Sequence, residues 1–243
     1  MIEIIPAILP KDYEDMKNKI ALVRGIIPIV QIDICDGLFV KNITWPFFSR
    51  AIANETFLEN NLDQHFHSIL NEEEGMPFWE DIDFELDLMV SDAISNFDIY
   101  AKLSPKRIIF HLEAVGDLIS FKNFLEGMDI YVRDAIQIGI ALNTTTPVEK
   151  IFPLVNYVDF VQCMGIEKIG FQEQDFDNRV LSQIKSLKSR FPDLIISVDG
   201  GVNFETASVL LQAGANRLIS GSTIFKAEDI REIISELEYL DLK

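Results

Sequence analysis

Three aspartates and a glutamine interrupt runs of residues that are otherwise apolar. Gln31 and Asp33 lie in IVQIDIC, Asp87 in FELDLM and Asp199 in IISVDGG. A carboxylate at the end of an apolar, β-branched run is delivered to the mouth of a sheet. Carboxylates that share one desolvated cavity repel one another and titrate nearer neutrality, which suits groups that move a proton to and from carbon. Glycines follow two of these runs, with Gly200 and Gly201 directly after Asp199 and Gly221 before Ser222 at the end of RLISGS. Backbone N–H groups exposed at such turns, ahead of a helix, hold phosphate. A solitary strand-end aspartate would ordinarily cap a loop or pair with lysine or arginine, and a solitary glycine pair would only permit a tight turn. Here both kinds of residue recur at the ends of runs that share one pattern.

The elements that must position them alternate. Short β-branched runs fall at about 3–8, 28–34, 83–89, 107–111, 135–141, 157–163, 194–199 and 216–220. Between them, stretches including 12–24, 174–190, 203–213 and 227–240 repeat apolar residues at helical spacing. Repeated βα units imply a parallel sheet covered by helices. An open doubly wound sheet is disfavoured because no GxGxxG follows the first run, so the expected fold class is α/β, a (β/α)8 TIM barrel. In that fold the site lies at the carboxyl ends of the strands, where these polar residues fall. The 243 residues carry no linker-like stretch and predict a single domain over 1–243. The interval from Gly37 to Asp83 is longer than one loop and one helix require. It predicts an insertion at about 55–82, with an extra helix near 57–70 and a loop, reaching the amino-end face of the barrel.

The net charge of −18 repels nucleic acid and anionic membranes, so neither is an expected partner. It repels phosphate esters too, which leaves local backbone donors to hold any such ligand. Cys35 and Cys163 sit in apolar runs without metal-like spacing, which points to a reduced intracellular compartment. With no basic leader and no membrane-length apolar run, the expected location is the cytoplasm.

The strings IIPAILP, VQIDICDGLFVKNIT, LDLMV, ALNTTTPVE, VDGGV and ISGSTIF, in this order, resemble the ribulose-phosphate 3-epimerase family over nearly the whole chain outside the insertion. The resemblance implies a phosphosugar-binding barrel that interconverts D-ribulose 5-phosphate and D-xylulose 5-phosphate. Asp33 and Asp199 would serve as the paired acid and base at C3. It implies phosphate binding by Gly200, Gly201, Gly221, Ser222 and Gly170, with Met89 and Met164 lining the sugar site, although methionine at a strand end is also ordinary core filler. The loop MGIEKIGFQEQDF corresponds to the family's NPGFGGQ lid with fewer glycines, and Lys168 within it offers a local positive charge. A homo-oligomer is a further expectation from the family.

The family's metal-ligand positions fall on Gln31, Asp33, Asp87 and Asp199, and both of its histidines are replaced. An all-oxygen set favours Mg or Mn over zinc or iron. The open alternative is a metal-free site in which Gln31 bonds substrate and one aspartate keeps a proton. No organic cofactor is implied. Cys35 replaces a family methionine and Ala7 a family serine. His111 matches a family histidine that either orients its neighbours or is structural, whereas His65 and His67 in the insertion are not expected to replace the missing ligands. Two other readings compete. A decarboxylase or aldolase of the related phosphate barrels would share Asp87 but needs lysine where Met89 stands, and a non-catalytic phosphosugar-binding or regulatory protein would bind without turnover.

Overall fold

Runs of isoleucine, valine and leucine form strands here because every strand is covered on both faces, so both alternating sets of side chains can be apolar. In the computed structural model, which describes residues 2–52, 57 and 61–240, eight parallel strands close into one barrel in sequence order. They are β1 (Glu3–Ile8), β2 (Ile29–Cys35), β3 (Asp83–Met89), β4 (Arg107–His111), β5 (Gln137–Leu142), β6 (Phe160–Met164), β7 (Ile195–Asp199) and β8 (Arg217–Ser220). The helices are α1 (Tyr13–Val23), α2 (Gln64–Leu70), α3 (Phe97–Ala101), α4 (Leu118–Glu126), α5 (Ile130–Ala135), α6 (Arg179–Arg190), α7 (Phe204–Ala213), α8 (Ser222–Phe225) and α9 (Ile230–Tyr239), with a 3₁₀ segment over Val148–Tyr157. No helix among the described residues is long and apolar enough to cross a membrane.

Parity along each strand separates two environments. Ile4, Val30, Ile32, Ile34, Leu86, Leu88, Val161 and Val198 face outward into one large core shared with the helices. The intervening residues face the barrel axis. At the amino end this interior holds Glu3, Glu85, Arg107 and Arg217: Arg107 donates to Glu85 at 2.9 Å and to Glu3 at 3.0 Å, and Arg217 lies 2.8 Å from Glu3. Above them the Phe160 ring fills the space that Gly139 leaves open, since a Cβ on Gly139 would overlap that ring. The Arg217 guanidinium sits over the same ring at 4.8 Å. The axis is therefore packed, and polar residues return only toward the carboxyl ends.

The long interval before β3 is resolved differently from expectation. Residues 53–56 and 58–60, which include the start of the insertion expected at about 55–82, lie outside the described residues. Among the described residues the interval holds one helix, α2, which is the crossover helix of its own βα unit rather than an additional one. Among the described residues the rest of the interval lies outside α2, on both sides of it. His65 on α2 stacks on Tyr13 at 3.9 Å and bonds Glu74 at 2.9 Å, a packing role apart from the three aspartates. The helix expected from 174 begins only at Arg179, because the preceding residues belong to the loop that arches from β6 over the barrel mouth.

Candidate active site

Register brings the carboxylates together. Asp33 on β2 pairs directly with Asp87 on β3, and Met164 on β6 with Asp199 on β7. Strand closure then places one carboxylate oxygen from each of Asp33, Asp87 and Asp199 within 4.8 Å of the others. Gln31, one inward position below Asp33, is the strut between them: its Nε2 donates to Asp33 Oδ1 at 2.8 Å and to Asp199 Oδ2 at 3.0 Å. His111 Nε2 lies 2.9 Å from Asp87 Oδ1, and Gln162 Nε2 donates to Asp87 Oδ2 at 3.4 Å.

All of these side chains are buried, and burial dominates their electrostatics. Desolvation, followed by repulsion from Asp199 and Asp87, holds Asp33 well above the usual carboxylate range. Desolvation and repulsion from Asp87 push Asp199 up to about 7, against the pull of the Gln31 amide. Burial alone would lower the His111 imidazole, but the charge and hydrogen bond of Asp87 outweigh it and raise the group above its ordinary value. Two carboxyl groups that burial and repulsion both shift toward the protonated form thus lie side by side.

Above them opens a cavity of about 260 Å³. Asp33, Met89, Met164, Gly170, Asp199, Gly200, Gly201, Gly221 and Ser222 all line it, while Gln31 and Asp87 lie beneath its floor. Gly200 and Gly201 adopt positive φ (95° and 68°), a conformation that other residues rarely adopt, and they lead into α7 through Asn203, whose side chain caps its first turn. Ser220 Oγ and Thr223 Oγ1 both donate to Val202 O, at 3.0 and 2.8 Å, and so lock the turns after β7 and β8 against each other. The loop after β6 covers this end. The carbonyl of Gly170, a residue at φ 81°, accepts from Asn42 Nδ2 at 2.8 Å. That bond joins the loops after β2 and β6.

The groups present fit a metal in one orientation of Gln31. Its Oε1 is buried without a partner, and the amide nitrogen and oxygen are nearly isosteric, so half a turn of the amide presents a carbonyl oxygen to the carboxylates. Asp33, Asp87, Asp199 and Gln31 could then hold a cation through oxygen alone. Lys168 does not supply charge to the cavity. It is exposed and lines a separate surface cleft with Glu167 and Arg179. Glu173, which does line the cavity, is paired with Lys226 at 2.6 Å.

The model of the ribulose-phosphate 3-epimerase family matches residues 3–225. The chain belongs to this family. It is similar to ribulose-phosphate 3-epimerase from Bacillus subtilis, 30% identical over 244 aligned positions that cover 98% of each chain. The cytoplasmic isoform from Oryza sativa subsp. japonica is 30% identical, over 97% of this chain and 92% of that one. Among solved structures, KGPDC from Streptococcus mutans shares the fold at TM-score 0.67 and 10% identity, over 99% and 97% of the two chains. The 3-hexulose-6-phosphate synthase of Salmonella typhimurium does so at TM-score 0.64 and 12% identity, over 99% of each chain.

Three contributors are not evident in the sequence. The second aspartate of the family string DICDG, Asp36, points away from the cavity: it accepts from Leu38 N and Phe39 N at 2.7 and 2.9 Å and from Ser91 N and Oγ at 2.7 and 2.8 Å, pinning the loops after β2 and β3. Gln162, on β6 and across the barrel interior from Asp87, resembles any polar core residue in sequence. Gln172 belongs to a loop whose glycines are its plainest signal, yet its side chain lines the cavity.

Proposed function

We infer that the chain epimerises a pentulose phosphate, interconverting D-ribulose 5-phosphate and D-xylulose 5-phosphate at C3. The observation that carries this reading is the pairing of Asp33 and Asp199 on one buried strut at the floor of a cavity whose other end is built from glycine turns. The phosphate binds the backbone N–H groups of the turns after β7 and β8, at Gly200, Gly201, Gly221 and Ser222, with Gly170 closing from above. The sugar then extends toward the carboxylates between Met89 and Met164.

With the C3 carbon between the two carboxyl groups, the ionised aspartate takes the C3 proton and the bond electrons move onto the neighbouring carbonyl, giving an enediolate. The protonated aspartate delivers its proton to C3 from the opposite face, the electrons return, and the configuration at C3 is inverted. Burial and mutual repulsion shift both Asp33 and Asp199 toward the protonated form, so the pair carries one proton between them: the ionised member is the base in one direction and the two exchange roles in the other. A hard divalent cation such as Mg or Mn, held by Asp33, Asp87, Asp199 and Gln31 Oε1, would polarise the sugar oxygens and offset the enediolate charge.

Incubation with ribulose 5-phosphate in deuterated water is expected to yield xylulose 5-phosphate labelled at C3, read by proton NMR. The absence of both label and epimer would exclude this reaction. Decarboxylation or aldol chemistry on the same scaffold lacks its cation, since the side chain at position 89 is a methionine facing the cavity.

A further inference from the structure

Gln172 ends where the turns of two neighbouring strands meet. β1 and β8 are paired, Pro6 against Ser220, so the carbonyl of Ala7 and the turn at Gly221 adjoin one another. A Cβ placed on Gly221 would come within 2.5 Å of Gln172 Nε2 and 3.2 Å of Ala7 O. Gln172 Nε2 itself lies 3.5 Å from Ala7 O, at the outer limit of a hydrogen bond. The carboxamide is thus over the first residue of the glycine turn after β8, with donor capacity that this long contact leaves largely unused. Gly221 must be glycine for the carboxamide to approach.

On the β1 side this seam has no side-chain donor of its own. Ala7 lines the cavity but offers only a methyl group and a carbonyl that accepts. The loop after β6, reading GFQEQ, supplies a side chain long enough to reach the seam from above.

We propose that Gln172 is a ligand-contacting specificity residue whose carboxamide donates to the phosphate ester at the β1–β8 seam. This rests on the phosphosugar reading given above. The loop is positioned for it by the bond from Asn42 Nδ2 to Gly170 O and by Gln174 Nε2, which donates to the Gln172 carbonyl at 3.2 Å. Glu173, the neighbouring anion, is paired with Lys226 at 2.6 Å, which offsets a charge that would otherwise oppose a phosphate dianion. Both members of that pair are more than half exposed, so it contributes little binding of its own. The carboxamide carries the effect.

The test compares Gln172→Met, which keeps length without a donor, and Gln172→Glu, which turns a carboxylate toward the dianion, with the wild-type chain. Steady-state kinetics with ribulose 5-phosphate and calorimetric titration with inorganic phosphate are the readouts. Loss of a hydrogen bond to a charged group predicts a KM and a phosphate Kd raised about tenfold in Gln172→Met, with kcat within about threefold. Gln172→Glu is expected to lose more of both affinities. Values within about twofold of wild type in both variants would overturn the assignment. Epimerisation with unchanged affinities defeats the role of Gln172 alone. Weakened phosphate binding in a chain that does not label C3 defeats the epimerase reading and leaves the role of Gln172 standing. A wild-type chain that binds neither phosphate nor the sugar defeats both.

Discussion

At the scale of single residues, the site is organised around Gln31, because its amide donates to Asp33 and Asp199 at once and so holds the two carboxyl groups in a fixed relation. Removing either carboxylate should remove the chemistry and relieve the crowding. Asp33→Asn and Asp199→Asn are each expected to lower kcat by about 10²–10⁴-fold while leaving the melting temperature equal to or above wild type. Deuterium incorporation and thermal melts measure the two. Activity near wild type in either variant would remove that residue from the acid–base pair. Restoring an imidazole in Gln31→His should raise zinc affinity by about tenfold or more over the parent chain, read by competition with a chromogenic chelator. An unchanged zinc affinity would mean that the nitrogen does not face the carboxylates. The aspartates were legible in the sequence because each breaks an apolar run at a strand end. The strut was not, since hydrogen bonds between residues 31 and 199 depend on barrel closure that no local pattern encodes.

Among the elements, strand positions were readable to within a residue or two at most edges, because β-branched runs punctuate the chain so regularly. Arg107–His111 coincides with the expected 107–111, while β6 begins three residues later than expected, at Phe160 rather than 157. The missed part, Tyr157 to Asp159, is apolar enough to resemble a strand but ends the 3₁₀ segment and turns into the sheet. Helix beginnings were less readable where loops are themselves amphipathic, as before α6. The strands also carry a polar layer whose stabilising logic is tertiary. Glu85 is only 1% exposed in its side chain and depends on Arg107 for its partner. At about pH 8, where Glu85 paired with Arg107 is mostly ionised, Arg107→Met should therefore destabilise the fold by about 3 kcal/mol, since the buried carboxyl group must either stay charged without a partner or take up a proton, whereas an exposed ion pair would yield well under half of that. Urea unfolding measures the difference, and a loss below about 1 kcal/mol would show that Glu85 is neutral in the folded chain.

For the whole molecule, charge and burial act in the same direction. Asp33, Asp199 and Glu85 all titrate above their unfolded values, the latter two at about 7, so the folded state binds more protons than the unfolded one between about pH 4 and 7. The stabilisation these groups give is complete below the ordinary carboxylate range and is lost as pH rises through about 7. The net charge of −18 adds general repulsion over the same window. The melting temperature is expected to fall by about 5 °C or more from about pH 5 to about pH 8. Millimolar Mg or Mn should recover part of this loss at about pH 8. A melting temperature that rises across the window would contradict the burial of these carboxylates.

The Phe160 ring beneath the site, seated against Gly139 and capped by Arg217, has a consequence for traffic. It is a stopper in the axial shaft, so among the described residues the reaction chamber opens at the carboxyl ends of the strands and is closed toward the amino ends. While a ligand occupies that opening, a proton captured by an aspartate has no rear exit. Isotope exchange with bulk water must then keep time with the departure of the sugar rather than with the chemistry at carbon.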